Sequence, residues 1–229
     1  MAGSNEGKTY IVIGCGYFGC RAVQALKRLP LNSLVIAVDR DEGRLLSVKA
    51  TADRIHHGDG VQFFAKLTGP QAAAWWIVPA LPLHLAADWL LQVFNETEGV
   101  ERARKLPVPA DFDPKGTLQH RTPGGTLYCS LGNLVCPEDC PEPEGYCHAT
   151  GQLRPAPLYR ILAETPCPGY RSLVLRSRLI VPGVGGYPFA DLLALQTELT
   201  GSVGSYLIST ACTCHAVTDA ISLSSLTNT

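Results

Sequence analysis

A glycine turn set between an apolar run and a helix-period segment is the feature that most limits what this chain can fold into. Residues 9–13 (TYIVI) are β-branched and apolar, and Gly14-Cys15-Gly16-Tyr17-Phe18-Gly19 follows at once. From Phe18 the apolar positions Ala22, Val23, Leu26 and Leu29 recur at helical spacing up to Pro30. Strand, tight turn and helix are therefore expected in direct succession. In such a turn Gly14 permits the sharp reversal, Gly16 lets the backbone approach a diphosphate, and Gly19 lets helix and strand pack closely. The amides and dipole of the helix N-terminus attract the phosphates.

The continuation agrees with that reading. SLVIAVD at 33–39 is apolar on both faces, as a central parallel strand is, and Asp41 can cap a helix reading EGRLLSVKA. Asp39 ends that strand, where a carboxylate accepts hydrogen bonds from ribose hydroxyls and repels a 2′-phosphate, so NAD is favoured over NADP. Arg40 beside it leaves room for NADP. Two other readings of the turn are an empty structural turn and S-adenosylmethionine binding. Ile13 weighs against the latter, because methyltransferases usually carry an acid there. AGSNEGKT at 2–9 nearly spells a phosphate loop, but it precedes a strand instead of leaving one and is read as part of a flexible tail.

YIVIGCGYFGCRAVQAL, the continuation VIAVDRDEGRL and the later HHGD together resemble the nucleotide-binding N-terminal domain of bacterial potassium-uptake regulators, the regulator-of-conductance family, over about the first 95 residues. The resemblance implies a Rossmann fold, NAD(H) or an adenine nucleotide as ligand, and a ligand-controlled homodimeric switch rather than a catalyst. Gly14, Gly16, Gly19, Asp39, Gly58 and Asp59 match that family's positions, and with Cys15, Tyr17, Phe18 and Arg40 they form the expected cofactor site. Beyond residue 95 the chain departs from that family.

Further elements follow from periodicity: RIHH at 54–57 before Gly58-Asp59, a helical VQFFAKL, a strand at 74–78 (AWWIV) and a helix at 83–94. His56 and His57 are read as structural and Trp75 and Trp76 as core. The expected fold class is α/β: a Rossmann-like doubly wound parallel sheet with a cysteine-rich insertion and a C-terminal α/β extension. The expected division is a tail over 1–8, the dinucleotide domain over 9–98, a linker and Cys/Pro-rich segment over 99–170, and the extension over 171–229. In the last, 172–181 reads as a strand, 189–199 as a helix and 205–211 as a strand, with a short helix before them at 157–164. Gly183-Val184-Gly185-Gly186 reads as a strand-to-helix turn or an anion-binding nest.

Cys129, Cys136, Cys140 and Cys147 lie in a proline-punctuated stretch with little periodicity, and Cys212, Cys214 and His215 (ACTCH) follow a strand much later. Thiolates converging on an ion would supply order that such a loop lacks. Cys129, Cys136, Cys140, Cys147, Cys212 and Cys214 are the candidate metal ligands, for zinc or an iron–sulfur cluster rather than magnesium or calcium. Ordinary reduced thiols and a redox disulfide are the competing readings. Cys15 and Cys20 are read as small packing residues.

With 19 basic and 20 acidic side chains the chain has no bulk attraction for nucleic acid or anionic lipid. Its longest apolar stretch, 77–93, is interrupted by Pro79, Pro82, His84 and Asp88, so no membrane insertion is expected. MAGSNEGK lacks the apolar core of a secretory signal, which makes a reducing cytoplasm the expected location. No Tyr-x3-Lys, GxSxG or HExxH motif declares an enzyme, and His84, His120 and His148 are unassigned acids. The expectation is a cytoplasmic NAD(H)-binding regulator or sensor with a cysteine-ligated metal. The alternative is an NAD-dependent oxidoreductase using the thiol or metal segment.

Overall fold

The computed structural model describes residues 8–29, 33–67, 72–96, 102–134 and 136–225. The tail expected over 1–8 and the phosphate-loop look-alike at 2–9 lie, but for Lys8 and Thr9, outside these residues. The first half alternates strand and helix: β1 (Thr9–Ile13), α1 (Tyr17–Leu26), β2 (Leu34–Asp39), α2 (Glu42–Val48), β3 (Arg54–His57), α3 (Gly60–Ala65), β4 (Trp76–Pro79) and α4 (Leu85–Glu96). The second half contains β5 (Ala103–Leu106), β6 (Leu118–Arg121), β7 (Leu127–Ser130), α5 (Leu158–Glu164), β8 (Tyr170–Arg176), β9 (Arg178–Val181), β10 (Val184–Pro188), α6 (Phe189–Leu199), β11 (Gly204–Ala211) and β12 (His215–Leu223).

Two six-stranded sheets result. The first runs β3-β2-β1-β4-β10-β9. Its first four strands are parallel, while β10 lies antiparallel to both β4 and β9. The sheet is therefore mixed, where a wholly parallel, doubly wound one was expected from the sequence, and only β3, β2, β1 and β4 are parallel. The physical reason is the β9–β10 hairpin. Gly183 makes its turn at φ +75°, and Gly186 lets β10 close on β4, since a Cβ there would stand 2.5 Å from the Ile77 carbonyl oxygen. The glycine run is thus hairpin and strand, and β10 passes straight into α6.

The second sheet runs β6-β7-β12-β11-β8, with β5 pairing a further stretch of β12. It is antiparallel apart from the β8–β11 pair. Residues 99–170, read from sequence as linker and loop, thus contribute β5, β6 and β7 to this sheet. The charged sequences of β5 and β6 (ARKL, LQHR) suit edge positions. Conversely, 178–188 leaves the C-terminal segment to join the first sheet. Ser177 separates β8 from β9, where a single strand had been expected.

One apolar core joins the sheets. It includes Ile11, Ile13 and Ile77 from the first, Leu173, Leu175, Ile208 and Ile221 from the second, and Phe64, Trp89 and Phe189 from the helices between. The Phe64 ring lies 5.5 Å from Trp89 and 4.9 Å from Phe189, within the range of favourable aromatic pairing. Alternation along β8 sends Leu173 and Leu175 to this core and Val174 to a second, beneath α5. A buried polar junction also spans the halves. Nδ1 of His84 stands 3.2 Å from Oδ2 of Asp219, and Nε2 stands 2.9 Å from the Thr210 hydroxyl. Thr126 donates to Asp219 at 2.6 Å, and Lys105 approaches the same carboxylate at 3.0 Å. No helix among the described residues is long and apolar enough to cross a membrane.

Candidate metal centre and nucleotide turn

The β11–β12 hairpin delivers most of the thiol cluster. Cys212, Thr213 and Cys214 form its tip, and His215 is the first residue of β12. The tip is anchored by backbone bonds from Leu131 to the Cys214 carbonyl and from Leu158 to the Thr213 carbonyl, each 2.9 Å. Its Thr213 N–H donates to the Glu142 carboxylate at 2.7 Å. Glu142 itself has φ 53°, a left-handed conformation that side-chain-bearing residues adopt only when the surroundings enforce it.

Segment 136–154 folds over this tip. It is held by the Cys147–Gln152 and Gly151–Cys147 backbone bonds, the Tyr146–Leu153 bridge and the Arg154–Gly145 bond. This brings the Cys136 sulfur to 3.7 Å from His215 Nδ1. The ligand atoms of Cys136, Cys214 and His215 all lie within 4.8 Å of one another. Ligands on a tetrahedral zinc stand about 3.3–3.8 Å apart, given bond lengths of about 2.0–2.3 Å. Closing the set needs a contraction of about an ångström.

The same geometry sorts the protons. Hydrogen bonds from the Cys214 thiol and the His215 imidazole bring Cys136 down to about 4. Cys212, almost wholly buried, is held well below the ordinary thiol range by Cys214 first and then His215. The backbone N–H groups of Cys214 and His215 help, donating to its sulfur at 3.4 and 3.2 Å. Cys214, facing the Cys136 and Cys212 sulfurs, keeps its proton and is pushed up. His215, hydrogen-bonded to Cys136 and Cys212, is raised to about 10. The ion-free cluster is thus disposed as two thiolates, one thiol and an imidazolium, and once the last two lose their protons its sulfur and imidazole donors are of the kind soft divalent ions select.

Not every expected ligand reaches it. Cys129 is a correction: it points into the core beneath α5 and is raised by burial, because its alternating position in β7 faces inward. Cys140 hydrogen-bonds the Cys136 sulfur but is not one of the three clustered ligands, and its burial raises its thiol. Cys147 lines a cavity of about 260 Å³ together with Cys136, Cys214 and His215 without joining their cluster, and hydrogen bonds from the Thr150 hydroxyl and amide, and from Arg154, bring it to about 7. Arg154, unmarked in the sequence reading, lines the same cavity. Only the fold shows that it and Glu142 belong here. Cys15 is buried and Cys20 hydrogen-bonds its carbonyl, consistent with packing roles.

The glycine turn sits at the C-terminal edge of β1. Gly14 has φ +96°, and a Cβ on Gly19 would stand 1.8 Å from the Gly14 carbonyl oxygen, whereas Gly16 faces open space. No side chain caps α1, so its first-turn amides are open to an anion. Asp39 accepts from the Cys15 N–H at 2.6 Å and from the Asp41 N–H at 2.8 Å, bracing the turn while its carboxylate keeps further acceptor sites. Gly58 donates to the Asp39 carbonyl. Asp59 is the N-cap of α3, accepting from Val61 and Gln62, and pairs with Arg40 at 2.7 Å. The crevice between Asp39, Asp59 and Leu81 is about 30 Å³, the space of about one water. The exposed Arg40 side chain, held by a surface pair of small worth, lies over this crevice. Tyr17 and Phe18 are exposed, and Tyr17 donates to Glu138 at 2.7 Å. Arg21 meets the same carboxylate oxygen at 3.0 Å.

Fold and site together define a two-sheet mixed α/β protein with a thiol–imidazole cluster at a hairpin tip. Residues 86–224 match the family described as "AF_1314_C: Uncharacterized protein, C-terminal domain", and the chain belongs to that family. The match contains the whole second sheet and the cluster, and begins after the glycine turn. No curated protein and no solved structure matches the chain.

Proposed function

We propose that this chain is a dinucleotide-binding metalloprotein with a regulatory role. The turn Gly14–Gly19 takes NAD(H), and Cys136, Cys214 and His215 take one thiophilic divalent ion, for which zinc fits the donors best. The observation that carries the metal half is the meeting of Cys136 and His215, 79 positions apart, with Cys214. A histidine in so compact a set favours a single ion over an iron–sulfur cluster, which is held by cysteine thiolates. Cys212 stands behind as an anchored thiolate that fixes the tip.

The nucleotide half is supported by the uncapped helix, the open face at Gly16 and the buried Asp39. A route between the two sites supports regulation: Glu138, two residues after Cys136, rests on Tyr17 and Arg21 beside the turn. Regulation requires that NAD(H) bind two states of that loop unequally. Elemental analysis of anaerobically purified protein tests the metal, with one zinc per chain expected and its loss in Cys136→Ser or Cys214→Ser. Calorimetry with NADH tests the turn, and absence of heat would refute that half. Steady NADH absorbance with an added acceptor supports the regulator; its decay would favour the oxidoreductase.

A further inference from the structure

Three protein ligands leave a tetrahedral ion one position short, the arrangement of zinc sites that bind an exogenous molecule. Here Cys136, Cys214 and His215 face the cavity of about 260 Å³, whereas Cys212 is not among its lining residues. The Cys212 sulfur accepts from the Cys214 and His215 amides and hydrogen-bonds their side chains, outside that lining. The size is below the roughly 300 Å³ at which drug-sized sites begin, so a small metabolite is the right scale.

The lining also supplies a charge. Arg154 donates to the Pro143 carbonyl at 2.8 Å, which fixes the side chain and leaves the rest of its five-donor fork unused by that bond. Arg154 makes no ion pair with a carboxylate among the described residues, and no Asp or Glu lines the cavity. Within the lining the guanidinium hydrogen-bonds the Cys147 thiol, and with the Pro143 carbonyl this still leaves donors of its fork for a carboxylate. Leu131, Leu134 and Leu153 complete the walls, which suits an organic body more than a bare inorganic ion.

We infer that this cavity binds a small carboxylate whose anionic group pairs with Arg154 and whose second donor atom completes the coordination of the ion at Cys136, Cys214 and His215. The inference rests on the metal reading above, and the experiment separates the two. The full chain is loaded with cobalt(II) and its thiolate-to-metal and d–d absorption is recorded before any addition. Mercaptoacetate is then titrated against mercaptoethanol, which offers the same sulfur without the carboxylate. Saturable band shifts are expected for both, with mercaptoacetate effective at about tenfold lower concentration, as a charge-assisted pair provides. Arg154→Gln should bring the two within about twofold, and Arg154→Lys should retain part of the difference.

Equal effects of the two thiols on the native protein would overturn the carboxylate site, whatever the variants do. So would bands that neither thiol moves, the behaviour of a closed four-ligand set including Cys212, or cobalt stripped from the protein without a ternary spectrum. Absence of thiolate-to-cobalt absorption before any thiol is added would overturn the metal reading and the inference with it.

Discussion

Adding one equivalent of zinc to the reduced, ion-free protein at pH 7 should release about two protons. The count follows from the cluster. Cys136, held at about 4, is already a thiolate at neutral pH and has no proton to lose. Cys214, whose proton is shared with two sulfurs, and His215, raised to about 10, both carry one. Zinc accepts only thiolate and neutral imidazole, so binding through these three residues expels both protons. Affinity should then rise about a hundredfold per pH unit between about 5 and 9, or about 2.7 kcal/mol per unit. Below about pH 4 the dependence steepens, because Cys136 must also lose a proton. Calorimetry in two buffers of different ionisation enthalpy measures the release directly. Cys147→Ser should leave the count unchanged, since that thiol is not among the three clustered ligands. A release below about half a proton, or of three or more, would refute the assignment of protons and ligands.

Other perturbations separate fold from function. Gly19→Ala drives a Cβ into the Gly14 carbonyl and should cost about 3 kcal/mol or more, lowering Tm by at least about 6 °C. Gly16→Ala meets no atom within 4 Å, so it should leave Tm within about a degree while weakening NADH binding, because the methyl occupies the backbone approach; unchanged affinity would count against the diphosphate reading. Burial works to raise Asp219, yet hydrogen bonds from His84, Thr126 and Lys105 hold it from 3.8 down to about 2. Its folded value is depressed, so its contribution of about 2 kcal/mol is present above about pH 4 and is lost as pH falls through about 2. Urea melts of Asp219→Asn should show that loss at pH 7 and a flatter acid limb; parallel acid limbs would contradict it. Glu138→Gln removes a negative charge beside the α1 N-terminus and should tighten NADH binding about two- to fivefold by calorimetry, with no tightening if the diphosphate lies elsewhere.

The local elements were legible where periodicity was strong. Helices expected at 157–164 and 189–199 appear as α5 and α6, and the strand at 205–211 as β11. The reading failed where a residue's partner lay far along the chain. LQHR has no apolar alternation to mark it, and becomes β6 only because β7 hydrogen-bonds beside it. Among the metal candidates, His215 stands directly after Cys214, and a Cys-x-Cys-His run offers imidazole as well as sulfur. Little in one dimension distinguished Cys129 from Cys136, because each follows a short apolar step, Leu127-Tyr128 and Leu134-Val135. Alternation within β7 turned one inward, and the loop after it left the other exposed.

Sequence alone determined the glycine turn, since a φ of +96° at Gly14 and the closeness of Gly19 to its carbonyl are demands on residue type that only glycine meets. It likewise determined that the thiols come in two groups. Tertiary structure decided that the groups meet, and which members do. Cys136 reaches His215 because β7 and β12 pair and the 136–154 segment folds back over their end. Such a contact depends on strand order and register, which carry no signature in the residues they bring together.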